Sequence, residues 1–184
     1  MKKEIERRWV LKDLPIKPFI KNNGIPDIEV QNIVQYYYLV DGVWKRIRKI
    51  DSNIFGAMYL HTVKTYKDGI TYEEERNYSY EEFITLMREI NSGKYECTTI
   101  SKTRYIFNTG IDADFEGEIK NIKWEIDVFN FNLIIAEIEI PDINYLLDIP
   151  DYIKEKMIYE VTGISQFSNR SLSEPLKMIK ETTI

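Results

Sequence analysis

The segment Glu4-Ile5-Glu6-Arg7-Arg8-Trp9-Val10 sets two carboxylates and a guanidinium at every second position. In a β-strand successive side chains point to opposite faces. Glu4, Glu6 and Arg8 therefore share one face, and Ile5, Arg7 and Trp9 the other. Paired carboxylates offer hard oxygen donors to a divalent cation. An adjacent Arg offers a planar fork of N–H donors to an anion. This spacing points to the binding of a metal-bound phosphate.

The same alternation returns along the chain. Arg46 and Arg48 flank Ile47, Thr62 and Lys64 flank Val63, and Glu73 and Glu75 alternate before Asn77. Lys102 and Arg104 flank Thr103, Glu125 and Asp127 flank Ile126, and Glu137 and Glu139 flank Ile138. Any one pair alone reads as the solvated face of an antiparallel sheet. The set, however, segregates by sign, with acids on the first, fourth and last two charged strands and bases on those between. Like charges two apart on one face repel unless a counter-ion or a facing strand compensates. A closed barrel would turn all these faces toward one lumen and set acidic patches opposite basic ones. A polyphosphate needs several cations, and Arg forks match its oxygens. Mg²⁺ or Mn²⁺ prefers carboxylate and water oxygen, often shared with substrate phosphates. Such a metal polarises a phosphoryl group and orients a water, and phosphoryl transfer is mainly positioning and charge neutralisation. No Ser-His or Cys-His nucleophile is required, and the sequence offers no persuasive one.

The elements that must position these residues are mostly strands. Residues 3–11, 30–40, 43–50, 57–66, 70–79, 96–108, 119–129 and 132–140 read as strands. Asp41-Gly42 and Lys67-Asp68-Gly69 are the hairpin turn signals. Residues 12–27, with Pro15, Pro18, Gly24 and Pro26, read as irregular. Tyr80 to Asn91 reads as a helix, capped by Ser79, with Glu81 and Glu82 in its first turn and Phe83, Leu86, Met87 and Ile90 at helical spacing. Helices are also expected over 142–148 and 150–160, and a short one after Pro175. The result is a mainly β, antiparallel protein with a few helices, a barrel or a sandwich.

Composition bounds the rest. The 184 residues suffice for a single domain with a substantial core. Thirteen Tyr against 8 Gly and 6 Pro favour sheet. A net charge of -5 argues against a general nucleic-acid binder, which needs a basic surface. Cys97 is the one cysteine and His61 the one histidine, so neither a disulfide within the chain nor a Cys or His metal cluster is available. No apolar run is long enough to span a membrane, and the start lacks the apolar stretch of a signal peptide. The expected setting is the cytoplasm.

The ordered series resembles the CYTH superfamily, the triphosphate tunnel metalloenzymes. Glu4-Ile5-Glu6-Arg7-Arg8 matches the N-terminal ExExK strand except that Arg8 replaces the Lys. Residues 4–15 resemble the bacterial members that begin EIERKFLV. The likeness continues through Ile33 to Tyr38, Arg46-Ile47-Arg48, Thr62-Val63-Lys64, Glu73 and Glu75, and Lys102-Thr103-Arg104. Trp124 to Phe129, Ala136 to Glu139, Glu160 to Gly163 and Phe167 to Asn169 complete it, so that it covers residues 3–172. The resemblance implies an eight-stranded antiparallel tunnel that binds a triphosphate and requires Mg²⁺ or Mn²⁺. It implies phosphate-binding roles for Arg8, Arg46, Arg48, Lys64, Lys102 and Arg104. It implies metal-binding roles for Glu4, Glu6, Glu137 and Glu139, with Glu125 and Asp127 as further candidates and Glu75 preferred to Glu73. Catalysis would then rest on Glu4, Glu6, Arg8, Lys64, Glu137 and Glu139.

The activity implied is hydrolysis of inorganic tripolyphosphate to phosphate and pyrophosphate by a monomer or homodimer. The same tunnel in relatives supports nucleoside or thiamine triphosphate hydrolysis and adenylate cyclisation. A binding module for polyphosphate or nucleotide, without catalysis, is the alternative of another class, and Arg8 in place of Lys gives it weight. Other conspicuous residues read more plainly. His61 faces away from Lys64 and reads as structural, Cys97 as packing, Tyr36 to Tyr38 as barrel packing, and Glu81 and Glu82 as helix-start charges. Lys177 and Lys180 read as a solvated tail.

Overall fold

The computed structural model describes residues 2–15, 28–67 and 70–174. In chain order it places β1 (Lys2–Glu4), β2 (Glu6–Leu11), β3 (Glu29–Val40), β4 (Val43–Ser52), β5 (Gly56–Lys67) and β6 (Ile70–Asn77). There follow α1 (Tyr80–Asn91), β7 (Cys97–Phe115), β8 (Glu118–Phe129), β9 (Ile134–Glu139), α2 (Asp151–Lys154), β10 (Met157–Glu160) and α3 (Asn169–Ser173). The strands form one antiparallel sheet in the order β1-β6-β5-β4-β3-β7-β8-β9-β2-β10.

Local chemistry explains most of these elements. Asp41 and Gly42 have φ of 50° and 77°, the pair of positive values that a two-residue type I′ hairpin demands. Val40 and Val43 therefore pair, and β3 stays in register with β4 as far as Gln31 and Ser52. Ser79 Oγ accepts the Glu82 N–H at 3.2 Å while Glu82 Oε2 accepts the Ser79 N–H at 2.7 Å. This capping box starts α1 where expected, and a cap of this kind contributes about 1 kcal/mol. The apolar side of α1, Phe83 and Ile90, then packs on Tyr38 and Ile47 of the sheet. Trp9, Leu11, Trp124, Ile126 and Ile138 form a second core with Ile28 and Ile153. The residues between them in sequence, Glu6, Arg8, Glu125 and Glu137, line a cavity instead. Strand alternation thus separates an apolar outer layer from a charged inner one.

Several expectations need correction. The eight strands of the sequence reading become ten, because Ile5 divides the first into β1 and β2 and because residues 157–160 form an additional strand. β1 pairs with β6 and β2 with β9, so one N-terminal segment reaches both halves of the sheet. Among the described residues the ends of the strand order, β1 and β10, do not pair, so hydrogen bonds do not close the sheet end to end. Residues 142–148 form no helix. Asp142 Oδ1 accepts the Asn144 N–H at 2.7 Å and the Asp142 carbonyl accepts the Tyr145 N–H at 3.1 Å, a turn chemistry that competes with helix. The helix expected over 150–160 stops at Lys154. Met157–Glu160 pairs with the free edge of β2, where backbone bonding across strands outweighs helical propensity. β7 runs to Phe115 rather than ending at 108, with a register shift between Asn108 and Asp112. The turn residues Asp68 and Gly69, most of the irregular stretch 12–27, and the tail with its expected helix and Lys177 and Lys180 lie outside the described residues.

Candidate functional site

Every strand from β1 to β9 contributes to the wall of one cavity of about 1430 Å³. Of the residues singled out by alternation, Glu4, Glu6, Arg8, Arg46, Arg48, Lys64, Glu75, Arg104, Glu125, Glu137 and Glu139 line it. Lys102 and Asp127 do not. They lie buried behind the wall, paired with each other, and Lys102 Nζ also donates to Asn169 Oδ1 at 3.3 Å.

Register brings the acids together. Glu6 stands opposite Glu139, Arg8 opposite Glu137, and Glu125 opposite Glu137. Like charges directly opposite on one face are destabilising, and the basic residues compensate. Arg8 Nη2 lies 2.6 Å from one oxygen of Glu137, and Arg104 Nη2 lies 2.8 Å from the other. Arg104 also grips Asp127 bidentately, Nε to Oδ1 at 2.6 Å and Nη2 to Oδ2 at 2.7 Å, and pairs with Glu125. Across the cavity Lys64 Nζ bridges Glu4 at 2.7 Å and Glu73 at 2.6 Å. Arg46 Nη2 reaches Thr62 Oγ1 at 3.1 Å and Glu75 at 3.3 Å, and Arg48 pairs with the same Glu75.

The electrostatics follow from this crowding. Burial pushes the Glu6 carboxyl up to about 8, and neighbouring Glu137 and Glu4 push in the same direction against Arg8 and Lys64. Burial acts on Glu137 too, but Arg8 and Arg104 outweigh it and hold that carboxyl well below its usual range. Burial, followed by the like charge of Arg46, lowers Arg48 to about 10. Burial and Arg104 lower Lys102 to about 8 despite Asp127.

The guanidinium groups are not fully used by the protein. Arg8 Nε and Nη2, Arg46 Nε and Arg48 Nε are buried without a hydrogen-bond partner. Arg8 Nη2 is held by Glu137 as an ion pair at 2.6 Å, so the capacity of Arg8 toward an anion lies chiefly at Nε, 3.7 Å from Glu6. Buried donors without acceptors are costly, and several aimed from the walls of one cavity suit an anion with many oxygens. A divalent cation fits less directly. The carboxylate oxygens are the right donors, and after burial it is the charges of Glu137 and Glu4 that raise the Glu6 carboxyl. Among the described residues, however, no group of three or more His, Cys, Asp or Glu stands ready to hold a metal.

The sequence reading missed some of the wall. Gln35 and Tyr37 share the cavity-facing side of β3, and parity alone could have supplied both. Glu73, ranked below Glu75 in the sequence, lines the cavity beside it. Asn169 and Arg170 of α3 also line the cavity, and no periodicity signals them. His61 sits outside the cavity, hydrogen-bonded to Tyr38 Oη at 2.8 Å and stacked on Tyr78. Glu82 serves the α1 cap, as expected.

An inorganic triphosphatase of Acetivibrio thermocellus is 32% identical over 185 residues, covering 98% of this chain and 100% of that protein. The chain belongs to this CYTH-like triphosphatase family. No protein-family model matches it. Two solved structures are similar, each over 83% of this chain and 84% of their own. A conserved hypothetical protein from Pyrococcus furiosus is 18% identical with a TM-score of 0.44. A protein from Pyrococcus horikoshii OT3 is 21% identical with a TM-score of 0.45. Among the described residues no helix is long and apolar enough to cross a membrane.

Proposed function

We propose that this protein is a metal-dependent triphosphatase that hydrolyses inorganic tripolyphosphate to phosphate and pyrophosphate. The observation behind the reading is the set of unpartnered guanidinium N–H groups of Arg8, Arg46 and Arg48 in the wall of one cavity. The inorganic triphosphatase named above, matched along its whole length, supports the same substrate. In this reading the sheet acts as a tunnel joined through Ile5, with Glu4 and Glu6 to either side of the junction.

Arg8, Arg46, Arg48, Lys64 and Arg104 take the phosphate oxygens and spread the substrate charge over several forks. Lys102 acts from behind, holding Asp127 and through it Arg104. Glu4, Glu6, Glu137 and Glu139 are the oxygens proposed to hold Mg²⁺ or Mn²⁺, with Glu75 and Glu125 as supporting carboxylates; Asp127, expected from the sequence as a further metal candidate, lies behind the wall with both oxygens on Lys102 and Arg104. Substrate oxygens that draw Arg8 and Lys64 would free one oxygen of Glu137 and the Glu4 carboxylate, while Arg104 keeps the other oxygen of Glu137. The bound metal supplies polarisation of the phosphoryl group and orientation of the attacking water. The net charge of -5 argues against general nucleic-acid binding and does not oppose a small anion held in a locally basic cavity.

The test is phosphate release from tripolyphosphate, ATP and thiamine triphosphate with Mg²⁺ or Mn²⁺. Tripolyphosphate should be cleaved fastest, and Glu137→Gln should abolish turnover while the protein still unfolds cooperatively. Tight binding without turnover in either metal would leave a binding module in place of the enzyme. Cyclic AMP from ATP would replace the hydrolase with a cyclase.

A further inference from the structure

The unpartnered groups in the cavity wall are not all donors. Gln35, on β3, is completely buried and lines the cavity, and its Oε1 has no hydrogen-bond partner. Its Nε2 donates to Tyr37 Oη at 3.4 Å, so the oxygen end of the amide is the end left over. Among the described residues Asn121 Oδ1 is the other unpartnered acceptor of the wall, and its side chain is tied by Nδ2 to exposed Asp112 on the β7–β8 hairpin.

Register fixes where the Gln35 amide stands. Gln35 lies opposite Arg48 on β4 and opposite Ile100 on β7. Ile100 and Tyr37 belong to an apolar cluster with Phe129 and Ile135. Gln35 therefore sits at the seam between the cationic wall and a dry apolar layer. An acceptor buried there without a partner is costly, and a ligand that donates a hydrogen bond relieves the cost. The ionised oxygens of a polyphosphate only accept. Nearby carboxylates are engaged by cations: Lys64 holds Glu73, Arg48 holds Glu75, and Arg104 holds Glu125 and one oxygen of Glu137. The donor that a hydrolysis brings to such a site is water.

We propose that Gln35 is a catalytic residue that orients the attacking water by accepting one of its hydrogens at Oε1. An amide oxygen accepts a hydrogen bond without taking the proton, so Gln35 aims the water and stays neutral. The water oxygen bonds to the terminal phosphorus, and the bridging P–O bond breaks with its electron pair passing to pyrophosphate. One proton of the water stays on the released phosphate, and the other passes to a phosphoryl oxygen of the products. This inference rests on the hydrolytic reading of the cavity.

The test sets steady-state phosphate release from tripolyphosphate with Mg²⁺ beside calorimetric binding of tripolyphosphate in the presence of a chelator, for the unaltered full chain and for Q35M. Methionine has similar length and offers only a weak acceptor. Q35M should lower kcat at least about tenfold and leave KM and the binding affinity within about twofold. An unchanged kcat, or a loss shared equally by kcat and binding, would overturn the assignment. If Q35M does not unfold cooperatively in urea, Q35N decides: it keeps an amide, withdraws the oxygen by one methylene, and should show the same split. If the unaltered protein releases no phosphate with Mg²⁺ or Mn²⁺, the hydrolytic reading falls and the role of Gln35 with it. If it releases phosphate and Q35M does so equally fast, only the role of Gln35 falls.

Discussion

Asp127→Asn should destabilise the protein by about 3–4.5 kcal/mol near neutral pH, a range that can be built from the two partners of Asp127. The carboxylate is fully buried and accepts from Arg104 Nε at 2.6 Å, from Arg104 Nη2 at 2.7 Å and from Lys102. Asn keeps one acceptor oxygen and turns an NH₂ group toward donors. Arg104 cannot shed its proton, so it loses at least one charge-assisted bond, worth about 1.5–3 kcal/mol. Lys102 has an escape. Its ammonium is already lowered to about 8, so at pH 7 giving up the proton costs only about 1.4 kcal/mol per pH unit. That escape caps its share of the loss. The sum agrees with the roughly 3–5 kcal/mol seen when one member of a buried ion pair is removed.

The assay is urea unfolding followed by tryptophan fluorescence, because Trp124 is fully buried and reports the core. The thermal midpoint should fall by about 6–18 °C for a chain of this size. The pH dependence carries a sign. Lys102 has a folded pKa below its unfolded one, so from about 8 to 10.5 the unfolded chain holds a proton that the folded chain lacks. Above pH 8 the native Lys102 is neutral and loses little when Asp127 loses its charge. The deficit of Asp127→Asn should therefore shrink by about 1.4 kcal/mol between pH 7 and pH 9. A deficit under about 1 kcal/mol, or one that grows with pH, would refute the reasoning.

Two further outcomes follow from single side chains. Arg8→Ala removes unpartnered donors from the cavity wall, so the KM for tripolyphosphate should rise at least about tenfold. Arg8→Lys should recover part of that loss, since an ammonium keeps the charge without the fork; an unchanged KM in Arg8→Ala would remove Arg8 from the phosphate site. Burial holds the His61 imidazole below its ordinary value of 6.5. As pH falls through that window the unfolded state gains a proton first, so stability is lost. Thermal midpoints at pH 7.5 and 5.5 should show the advantage of the unaltered protein over His61→Gln shrinking on acidification. An advantage that grows would contradict the sign.

The strands and the wall residues were legible because a pleated strand has a period of two and repeats it wherever charge alternates. Glu4, Glu6 and Arg8 stay on one face despite the break at Ile5, and Arg46, Lys64, Arg104 and Glu137 line the same cavity with them. The hairpin at Asp41-Gly42 and the cap at Ser79 were legible for the same local reason, since backbone φ and side-chain reach are set within a few residues. Helix α3 and β10 were not. Met157–Glu160 becomes a strand only because the β2 edge is there to receive it.

Parity also could not distinguish a charge that lines the cavity from one behind it. Lys102 and Arg104 share a face in sequence, yet Arg104 meets the cavity while Lys102 is buried against Asp127. That difference arises from how deep each strand position sits once the sheet curves, which depends on contacts far apart in the chain. The sequence by itself determined which residues share a face, because alternation is a property of the strand. Only the tertiary structure decided which of them touch, which pair off and which leave donors open to an anion, because those are properties of strands brought together around one space.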